Sequence, residues 1–363
     1  MKKVLIFYPY ITAYGGIEEN IITLAKKLHQ KKNQLNLLCF YDKLSINKYY
    51  KHINVIRLGN ENYLLKIIKL RIFLRNYDKK FSGFALFLSY KAAFFGAIIN
   101  FKNYVLHLDD TLGLLSSGKE INKNLFEKFK RNIVHQINNR GIKNAQIRIA
   151  TTNRNASEFF KDYGQKFKVI NLGVNKINYE VKKKKNILNL LSISRIEISK
   201  NIEWIIDGLY ELLKITKIIK HFKKINLFIV GTGPDIDRLK KIVTKYKINK
   251  YVHFTGFVSN NKKKQLLSQS HFALIPAVQG YGIPVLESLI RKTPVIINKE
   301  TRISEILKKN PWVKISENNK EDFINKMIDH IDKLHLKLPN ESFLKKLPSQ
   351  NEWSTKIFQY CEW

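Results

Sequence analysis

The hydrophobic residues of this chain form short blocks that alternate with longer segments of helical periodicity. Lys3–Phe7 is an apolar block of strand length, and in Ile17–Gln30 the residues Ile21, Ala25 and Leu28 share one helical face. The further strands predicted up to residue 172 are Asn36–Phe40, Asn54–Leu58, Phe84–Ser89, Tyr104–Leu108, Ile147–Ala150 and Lys168–Leu172. Short apolar strands separated by helices are typical of a parallel sheet covered on both faces, so we predict an α/β fold with a doubly wound sheet.

The same pattern starts again after a polar interruption. Residues 176–186 contain the run Lys182–Lys185 and read as a linker. The strands predicted beyond it are Ile187–Ser192, Asn226–Val230, Val252–Thr255, Phe272–Pro276 and Pro294–Asn298. We therefore expect two Rossmann-like domains, residues 1–175 and 187–348, and a terminal segment, 349–363, whose helix returns to the first domain.

Membrane spans and disulfides are not expected. Residues 1–10 are short, interrupted by Pro9 and without a cleavage site, so they read as a strand and not as a signal peptide. The stretch from Gly83 to Phe101 reaches spanning length, but Lys91 lies in its middle, and a strand followed by a helix explains it better. Two cysteines, Cys39 and Cys361, exclude a disulfide framework and a zinc site built from thiols.

The charge is strongly positive. The 65 Lys and Arg residues exceed the 29 Asp and Glu residues, which gives 65 − 29 = +36. A polyanion, either nucleic acid or an anionic lipid surface, is one explanation, and a Lys-, Asn- and Ile-rich coding bias is the other. The chain lacks the interleaved aromatic and basic motifs of nucleic-acid-binding sheets, so a nucleic-acid partner is not expected.

Four turns follow predicted strands and carry glycine or basic residues. In doubly wound sheets, ligands bind beyond the carboxyl ends of the strands. The turns are Tyr14-Gly15-Gly16, Ser194-Arg195 with Lys200, Gly231-Thr232-Gly233, and Gly280-Tyr281-Gly282-Ile283-Pro284. Taken singly, each of these four turns has the composition of an ordinary turn and does not indicate a ligand site. The turn at Gly231 lacks the third glycine of a dinucleotide fingerprint, and the chain has no Gly-Lys-Ser/Thr P-loop.

Taken in order, these pieces resemble the GT-B-fold, retaining glycosyltransferases of family four, the group related to glycogen synthases and mannosyltransferases. The resemblance covers nearly the whole chain and is densest between residues 187 and 306. It also includes the segments Val169–Val174, Val252–Val258 and Pro276–Glu287. It implies two domains that face each other across a cleft, a nucleotide-sugar donor and transfer with retained anomeric configuration.

The resemblance also implies roles for individual residues of the second domain. Arg195 and Lys200 match the basic pair that grips the donor diphosphate, where fixed cations stabilise the departing charge without a metal. Glu287 matches an acid that accepts hydrogen bonds from ribose hydroxyls. The remaining donor-binding positions are Gly15, Gly16, Gly231, Gly233, Phe257, Val258, Gly280, Tyr281, Gly282 and Ile283. The alternative for Arg195 and Lys200 is that both are surface cations without a ligand. The alternative for Glu287 is that it is an acid in the first turn of a helix, where the helix dipole favours negative charge.

Two residues depart from the family pattern, and the milder departure is Ser194, where the family usually has glycine. The first glutamate of the family's acidic pair falls eight positions before Glu287, where this chain has Gln279. Glutamine can hydrogen-bond sugar hydroxyls but has no charge and cannot take a proton. A catalytically weak or non-catalytic relative that binds nucleotide sugar or glycan is therefore the alternative function.

Two candidates for the catalytic site of the first domain lie at the end of the strand Tyr104–Leu108. They are His107 and Asp109, which alternation places on the same side, so spacing does not choose between them. A satisfied core histidine is the alternative for His107.

The segment Asn62–Lys80 is predicted to be a basic, amphipathic helix. Its cations and aliphatic residues have the composition of an interfacial helix for anionic lipid, and the alternative is a core helix with a solvated lysine face.

The expected function is transfer of a hexose or N-acetylhexosamine from a nucleotide sugar, with UDP favoured and GDP as the other option, to a glycan or lipid-linked glycan. We expect neither cofactor nor metal, and a cytoplasmic protein that is peripheral on the inner face of the cell membrane if residues 62–80 bind lipid.

Overall fold

The computed structural model describes residues 1–12, 14–60, 62–110, 125–175, 183–184, 186–278, 280–334 and 337–363. Two compact units divide the chain. Unit 1 comprises the described residues of Met1–Leu115 and Lys119–Leu172 together with Gln350–Trp363, and unit 2 comprises those of Gly173–Ser349. Most of the predicted linker, residues 176–182 and 185, lies outside the described part of the chain.

Unit 1 contains a seven-stranded parallel sheet in the order β5-β3-β1-β6-β7-β8-β9. Its strands are β1 (Lys3–Phe7), β3 (Gln34–Cys39), β5 (Ile53–Arg57), β6 (Ala85–Leu88), β7 (Tyr104–Leu108), β8 (Ile147–Ala150) and β9 (Lys168–Val169). A small parallel pair, β2 (Tyr10–Ile11) and β4 (Tyr41–Asp42), lies outside this sheet. The central strands are buried along their length because helices cover both faces.

The helices of unit 1 are α1 (Gly16–Gln30), α2 (Tyr63–Leu74), α3 (Tyr77–Lys80), α4 (Tyr90–Ile98), α5 (Leu125–Asn144), α6 (Asn153–Tyr163) and, at the carboxyl terminus, α15 (Gln350–Cys361). The chain steps from β1 to β3 in one direction and from β5 through β6, β7 and β8 in the other. Because parallel crossovers are right-handed, α1 lies on one face of the sheet, and α2, α4, α5 and α6 lie on the opposite face.

Aromatic residues dominate the core between the sheet and α2, α4, α5 and α6. Phe7, Phe87, Tyr104 and Phe159 are fully buried there. A Cβ atom on Gly141 of α5 would lie 2.1 Å from the Ala93 carbonyl oxygen of α4, so the missing side chain permits close approach of the two helices.

Helix α15 packs against α1. Lys27 of α1 donates hydrogen bonds to the side chains of Asn351 (3.0 Å) and Ser354 (3.2 Å), and Trp353 is fully buried.

Unit 2 contains a six-stranded parallel sheet in the order β12-β11-β10-β13-β14-β15. Its strands are β10 (Ile187–Ile193), β11 (Lys224–Val230), β12 (Val252–Gly256), β13 (Phe272–Ile275), β14 (Val295–Asn298) and β15 (Val313–Ser316). Its helices are α7 (Ile202–Leu212), α8 (Thr216–Ile219), α9 (Ile236–Lys245), α10 (Asn260–Gln269), α11 (Ile283–Leu289), α12 (Ser304–Leu307), α13 (Lys320–Leu334) and α14 (Ser342–Lys345).

The predicted fold class, an α/β fold with two Rossmann-like parallel sheets, is therefore confirmed. The stretch 83–101 is a strand followed by a helix, as expected, and no helix among the described residues has both the length and the apolarity to cross a bilayer. Both cysteines are buried free thiols.

The structure corrects the prediction of one amphipathic helix over Asn62–Lys80. Two helices, α2 and α3, occupy this segment, and α2 is not amphipathic. Leu70 and Leu74 of α2 are buried, whereas Leu64, Ile68 and Ile72 on its opposite side are exposed. Aliphatic residues occupy the outer face of α2 as well as its inner face, so the helix has no single apolar side.

Candidate functional site

The carboxyl edge of the unit 1 sheet holds a cluster of titratable side chains. Gly15 is the N-cap of α1, in extended conformation, and the first helical turn contributes Glu18. Glu18 is buried (4% exposed), and burial raises the pKa of its carboxyl, to which the nearby charge of Asp109 adds. The Tyr8 hydroxyl, which follows β1, hydrogen-bonds this carboxylate, and burial raises the pKa of that phenol as well.

His107 and Asp109 belong to the same cluster. His107 lies in β7 with 2% exposure, and its Nδ1 is 3.2 Å from the Asp109 Oδ1. The Asp109 carboxylate is 24% exposed, so it is the member of the pair that solvent reaches. The structure thus brings together the two residues between which spacing did not choose, and it buries His107 and leaves Asp109 partly exposed.

Polar side chains of the next strand connection hold the turn after β7. The Asp109 carbonyl oxygen accepts hydrogen bonds from Thr151 Oγ1 (3.1 Å) and Asn155 Nδ2 (2.7 Å). On the other side, the indole of Trp353 from α15 meets the His107 ring edge-on at a centroid distance of 6.2 Å.

Ser89 lies at the carboxyl end of β6, between β1 and β7, and has an unusual backbone conformation. Its φ of 90° and ψ of 161° are values that side-chain-bearing residues rarely adopt. Its amide donates to the His107 carbonyl oxygen (3.3 Å), so the strained residue is bonded to the strand that carries the candidate pair.

Sequence reasoning missed Tyr8, Glu18 and Ser89. For Glu18 a signal was available: helical periodicity places it on the same face as Ile21, Ile22 and Ala25, and a carboxylate on an apolar face is rarely structural. Ser89 carries no such signal, because nothing in the local sequence distinguishes it from an ordinary N-cap serine.

In unit 2, the loop after β10 carries the predicted cationic pair. Arg195 has a 77% exposed side chain whose Nη2 is 2.7 Å from Glu197 Oε1, and Lys200 is half-buried in the 3₁₀ turn Ile198–Lys200. Asn201, in left-handed conformation, donates from Nδ2 to the Pro276 carbonyl oxygen at the end of β13 (3.1 Å). The loop that presents both cations is therefore bonded to the neighbouring strand end.

The turn after β11 packs backbone to backbone on this loop. A Cβ atom on Gly231 would lie 1.9 Å from the Ser194 carbonyl oxygen, and one on Gly233 would lie 2.1 Å from that of Ile196. The Ile196 amide donates to the Thr232 carbonyl oxygen (3.0 Å). Both glycines are thus explained by the close approach of two loops, and their predicted contact with donor stays a prediction.

Glycine is also required where α11 begins. Gly282 has a φ of 95°, and a Cβ atom there would lie 2.8 Å from Thr301 Cγ2. Tyr281 is buried, so its ring is not exposed to a ligand. The backbone amides of Arg302 and Ile303 donate to the carbonyl oxygens of Gly280 (3.2 Å) and Tyr281 (3.0 Å).

The predicted ribose-binding acid has a partner that sequence reasoning missed. Glu287 Oε1 is 2.8 Å from Lys263 Nζ of α10, and both side chains are partly exposed. Glu287 lies in the second turn of α11, and no acid occupies the first turn. The alternative of a first-turn acid that the helix dipole favours is therefore wrong.

The predicted nucleobase contacts have contrasting environments. Phe257, just after β12, is 85% exposed, whereas Val258 packs on a small core of Leu191, Val230 and Leu267. Gln279 lies outside the described residues. Among the described residues, no group of three or more His, Cys, Asp or Glu side chains is arranged to hold a metal ion.

Comparison with known proteins finds a family match that covers most of unit 2. Residues 175–338, just under half of the chain, match the family model of glycosyl transferases group 1. An uncharacterized glycosyltransferase of Methanocaldococcus jannaschii is 29% identical over 120 residues, which is 33% of this chain and 29% of that protein. The alpha-monoglucosyldiacylglycerol synthase of Streptococcus pneumoniae is 28% identical over 119 residues, which is 32% of this chain and 26% of that protein. The matches span less than a third of either curated relative.

Solved structures resemble the whole chain. Sucrose-phosphate synthase from Thermosynechococcus elongatus has a TM-score of 0.75 at 12% identity, over 99% of this chain and 98% of that one. HepE from Anabaena, in complex with UDP and glucose, has a TM-score of 0.74 at 18% identity, over 99% of each chain. The lipopolysaccharide glycosyltransferase WaaG has a TM-score of 0.68 at 13% identity, over 99% of this chain and 95% of that one. The protein has the GT-B glycosyltransferase fold, and its residues 175–338 form a glycosyl transferases group 1 domain.

Proposed function

We propose that this protein is a glycosyltransferase that moves a hexose or an N-acetylhexosamine from a nucleotide sugar to a glycan or a lipid-linked glycan. The observation that carries the proposal is the group 1 domain over 175–338, in which the loop after β10 presents Arg195 and Lys200 and helix α11 carries Glu287. A UDP-sugar is the favoured donor, because HepE was solved with UDP-glucose. A GDP-sugar is the second option.

Unit 2 supplies the groups for the nucleotide part of the donor. Departure of a nucleoside diphosphate builds negative charge on its phosphate oxygens, and the cations of Arg195 and Lys200 stabilise that charge in place of a divalent metal. The Glu287 carboxylate, held by Lys263, accepts from ribose hydroxyls. The exposed Phe257 ring offers a surface on which a nucleobase stacks.

The transfer retains the anomeric configuration in this proposal. The bond between the sugar C1 and the diphosphate oxygen breaks, and a bond from C1 to the acceptor oxygen forms on the same face. The acceptor's proton passes to the departing phosphate oxygen, so the step needs no protein base. Gln279 is consistent with this route, since an uncharged amide positions sugar hydroxyls and takes no proton.

Unit 1 supplies the groups for the transferred sugar or the acceptor. Asp109 is the substrate-facing member, and the buried His107, whose Nδ1 lies 3.2 Å from the Asp109 Oδ1, is a positioning residue. Glu18 is buried next to this pair at the start of α1, beside Gly15 and Gly16. It supplies a second carboxyl group for hydrogen bonding.

The acceptor belongs to surface polysaccharide or glycoconjugate synthesis in this proposal. The partial likeness to a monoglucosyldiacylglycerol synthase supports a lipid-linked acceptor. The protein then works in the cytoplasm, at the inner face of the cell membrane, to which residues 62–80 attach it.

A thermal-shift screen tests donor binding. We expect UDP and at least one UDP- or GDP-sugar to raise the Tm of the protein, since a ligand that binds only the folded state stabilises it. No shift with any nucleotide sugar contradicts the proposal.

A second candidate function, nucleotide-sugar binding without catalysis, is favoured by Gln279. Release of nucleoside diphosphate by the wild type, compared with the Gln279→Glu variant, separates the two. Turnover by the wild type supports the enzyme. Donor binding without turnover in either protein supports the non-catalytic module.

A further inference from the structure

The amino edge of the unit 2 sheet carries a cavity of about 360 Å³ that the proposed function does not use. Its walls come from the residue after α7, the end of α8, the segment that enters β11 and the turn before β12. Strands β10 and β11 are parallel, with Ile187 level with Lys224, so the cavity lies at the opposite end of the sheet from Arg195, which follows β10. Each strand has seven residues, and a rise of about 3.3 Å per residue separates the two ends by about 20 Å.

One wall of the cavity is apolar and belongs to the core of unit 2. Four half-buried side chains line this wall and pack on the core, namely Leu213, Ile219, Phe222 and Tyr251. A mostly apolar lining with a few polar groups is typical of small-molecule sites, which have volumes of about 300–1,000 Å³. The volume here is at the lower end of that range, so it suits a ligand with a body of one or two rings.

The rim of the cavity is cationic. Lys223, Lys224 and Lys250 line it, and all three are exposed. The Lys250 Nζ lies 5.0 Å from the centroid of the Tyr251 ring, so this charge adjoins the apolar wall. Within the part of the chain that the structure describes, none of the three ammonium groups forms an ion pair with a carboxylate. The positive charge of the rim is therefore left for an anionic ligand.

Lysines of the same segment that lie outside the cavity do have carboxylate partners. Lys214 Nζ is 2.8 Å from Glu211 Oε1, and Lys217 Nζ is 3.7 Å from Asp332 Oδ2. The sequence contains no acidic residue between Glu211 and Asp235. A coding bias toward lysine explains the number of lysines, but it does not explain why the partnered ones lie outside the cavity and the others line it.

Three cations beside an apolar wall favour an organic phosphate. A carboxylate carries one negative charge, whereas a phosphate monoester carries about 1.5 to 2 negative charges at pH 7. Lysine binds phosphate as a compact charge with three N–H donors. The wall next to the rim includes the rings of Phe222 and Tyr251, and aromatic rings pack well on other rings.

We propose that this cavity is a second ligand site, which binds a phosphate monoester with an aromatic or other apolar body. The phosphate lies among Lys223, Lys224 and Lys250, and the body packs on Phe222 and Tyr251. The site is separate from the predicted donor site at the other end of the sheet, and its occupation requires no glycosyl transfer.

Isothermal titration calorimetry of the full chain with 1-naphthyl phosphate tests the inference, with inorganic phosphate and 1-naphthol as the separate parts of the probe. One variant removes two rim cations (Lys223→Gln, Lys250→Gln), and a second fills the cavity (Ile219→Trp). The matched control removes two lysines outside the cavity (Lys214→Gln, Lys217→Gln), which changes the net charge equally.

The wild type and the control are expected to bind 1-naphthyl phosphate more tightly than either of its parts. The rim variant is expected to lose at least about tenfold in affinity, because two charge-assisted contacts are removed. The filled variant is expected to lose binding altogether. No binding by the wild type, or an equal loss in the control, overturns the proposal. Inorganic phosphate that binds as tightly as the ester indicates an adventitious ion only and overturns it as well.

Two further outcomes assign the probe to another site or the cavity to another ligand. Wild-type affinity in both cavity variants, with a loss in Arg195→Ala, places the probe in the donor site. Binding of a single-stranded oligonucleotide that the rim variant abolishes, without binding of 1-naphthyl phosphate, assigns the rim to nucleic acid. Either result overturns the proposal.

The thermal shift with UDP-sugars separates this inference from the proposed function. All variants of the cavity are expected to keep the shift, because the donor site lies at the other end of the sheet. A wild type that binds the probe but shows no donor shift contradicts the proposed function alone. If Ile219→Trp loses the donor shift, the substitution has disturbed the whole unit, and the rim variant decides the question.

Discussion

At the scale of single residues, the most informative is Glu18. Its carboxyl is buried next to Asp109, and burial raises its pKa, so the ionised form is disfavoured in the folded protein. A raised pKa of an acid means that the unfolding free energy falls as the pH rises through that pKa. A group kept at a cost in stability is a candidate for function.

We therefore predict that Glu18→Gln raises the Tm at neutral pH and lowers kcat. The gain in Tm is expected to vanish at acidic pH, where the wild-type carboxyl is itself protonated. Differential scanning fluorimetry across pH, with donor turnover on the same samples, measures both. If the Glu18→Gln variant has a lower Tm than the wild type at neutral pH, Glu18 has a purely structural role.

The glycines give a second prediction at this scale. Gly231→Ala or Gly233→Ala places a Cβ about 2 Å from a backbone carbonyl oxygen and is expected to cost more than about 3 kcal/mol of unfolding free energy. Gly16→Ala is the control, because a Cβ there meets no atom within 4 Å. Urea denaturation measures all three. Equal stability of the Gly231 variant and the wild type would mean that the two loops are not in contact.

At the scale of elements, most strands and helices were predicted from the hydrophobic pattern, and the errors have physical causes. The strand Val313–Ser316 was missed because it is only four residues long. The helix Lys320–Leu334 did carry a signal that was overlooked, since Phe323, Met327 and Ile331 recur at helical spacing. Helix α2 was wrongly predicted to be part of one amphipathic helix. Composition shows which residues are present but not which of them a neighbouring element covers.

The candidate site was predictable only in part, for a similar reason. The turns at Arg195, Gly231 and Gly282 carry signals in the sequence. The contacts of Glu18 with Tyr8 and of Glu287 with Lys263 join residues from different elements, and only the fold brings them together.

Helix α15 supplies a prediction at this scale. Trp353 is fully buried and meets the His107 ring, so Trp353→Ala is expected to cost about 3–5 kcal/mol. Lys356→Ala, on the exposed side of the same helix, is expected to stay within about 0.5 kcal/mol of the wild type. Chemical denaturation compares them. Similar stabilities of the two variants would mean that the helix does not pack on unit 1.

At the scale of the whole molecule, acid is expected to destabilise unit 2. Burial lowers the pKa of His271 and His330 from 6.5 to about 4. A base whose pKa is lowered by folding contributes stability above the unfolded pKa that is lost as the pH falls through the folded one. The unfolding free energy should therefore decrease by a few kcal/mol between about pH 6.5 and about pH 4.

Urea denaturation of the wild type and of His330→Gln at several pH values in this range tests the prediction. The variant is expected to show a shallower decrease, because one of the two histidines no longer titrates. An unchanged slope would mean that His330 is accessible to protons in the folded state.

The central claim for the molecule is that a cationic loop of unit 2 stabilises a departing nucleoside diphosphate. The most direct test is kcat for diphosphate release by Arg195→Ala and Lys200→Ala, with the exposed Lys240→Ala as the charge-matched control. Because the Arg195 side chain is largely exposed, its removal should leave the Tm nearly unchanged. We predict a loss in kcat of about 10²–10³-fold in both loop variants and none in the control; wild-type rates in both loop variants would contradict the account.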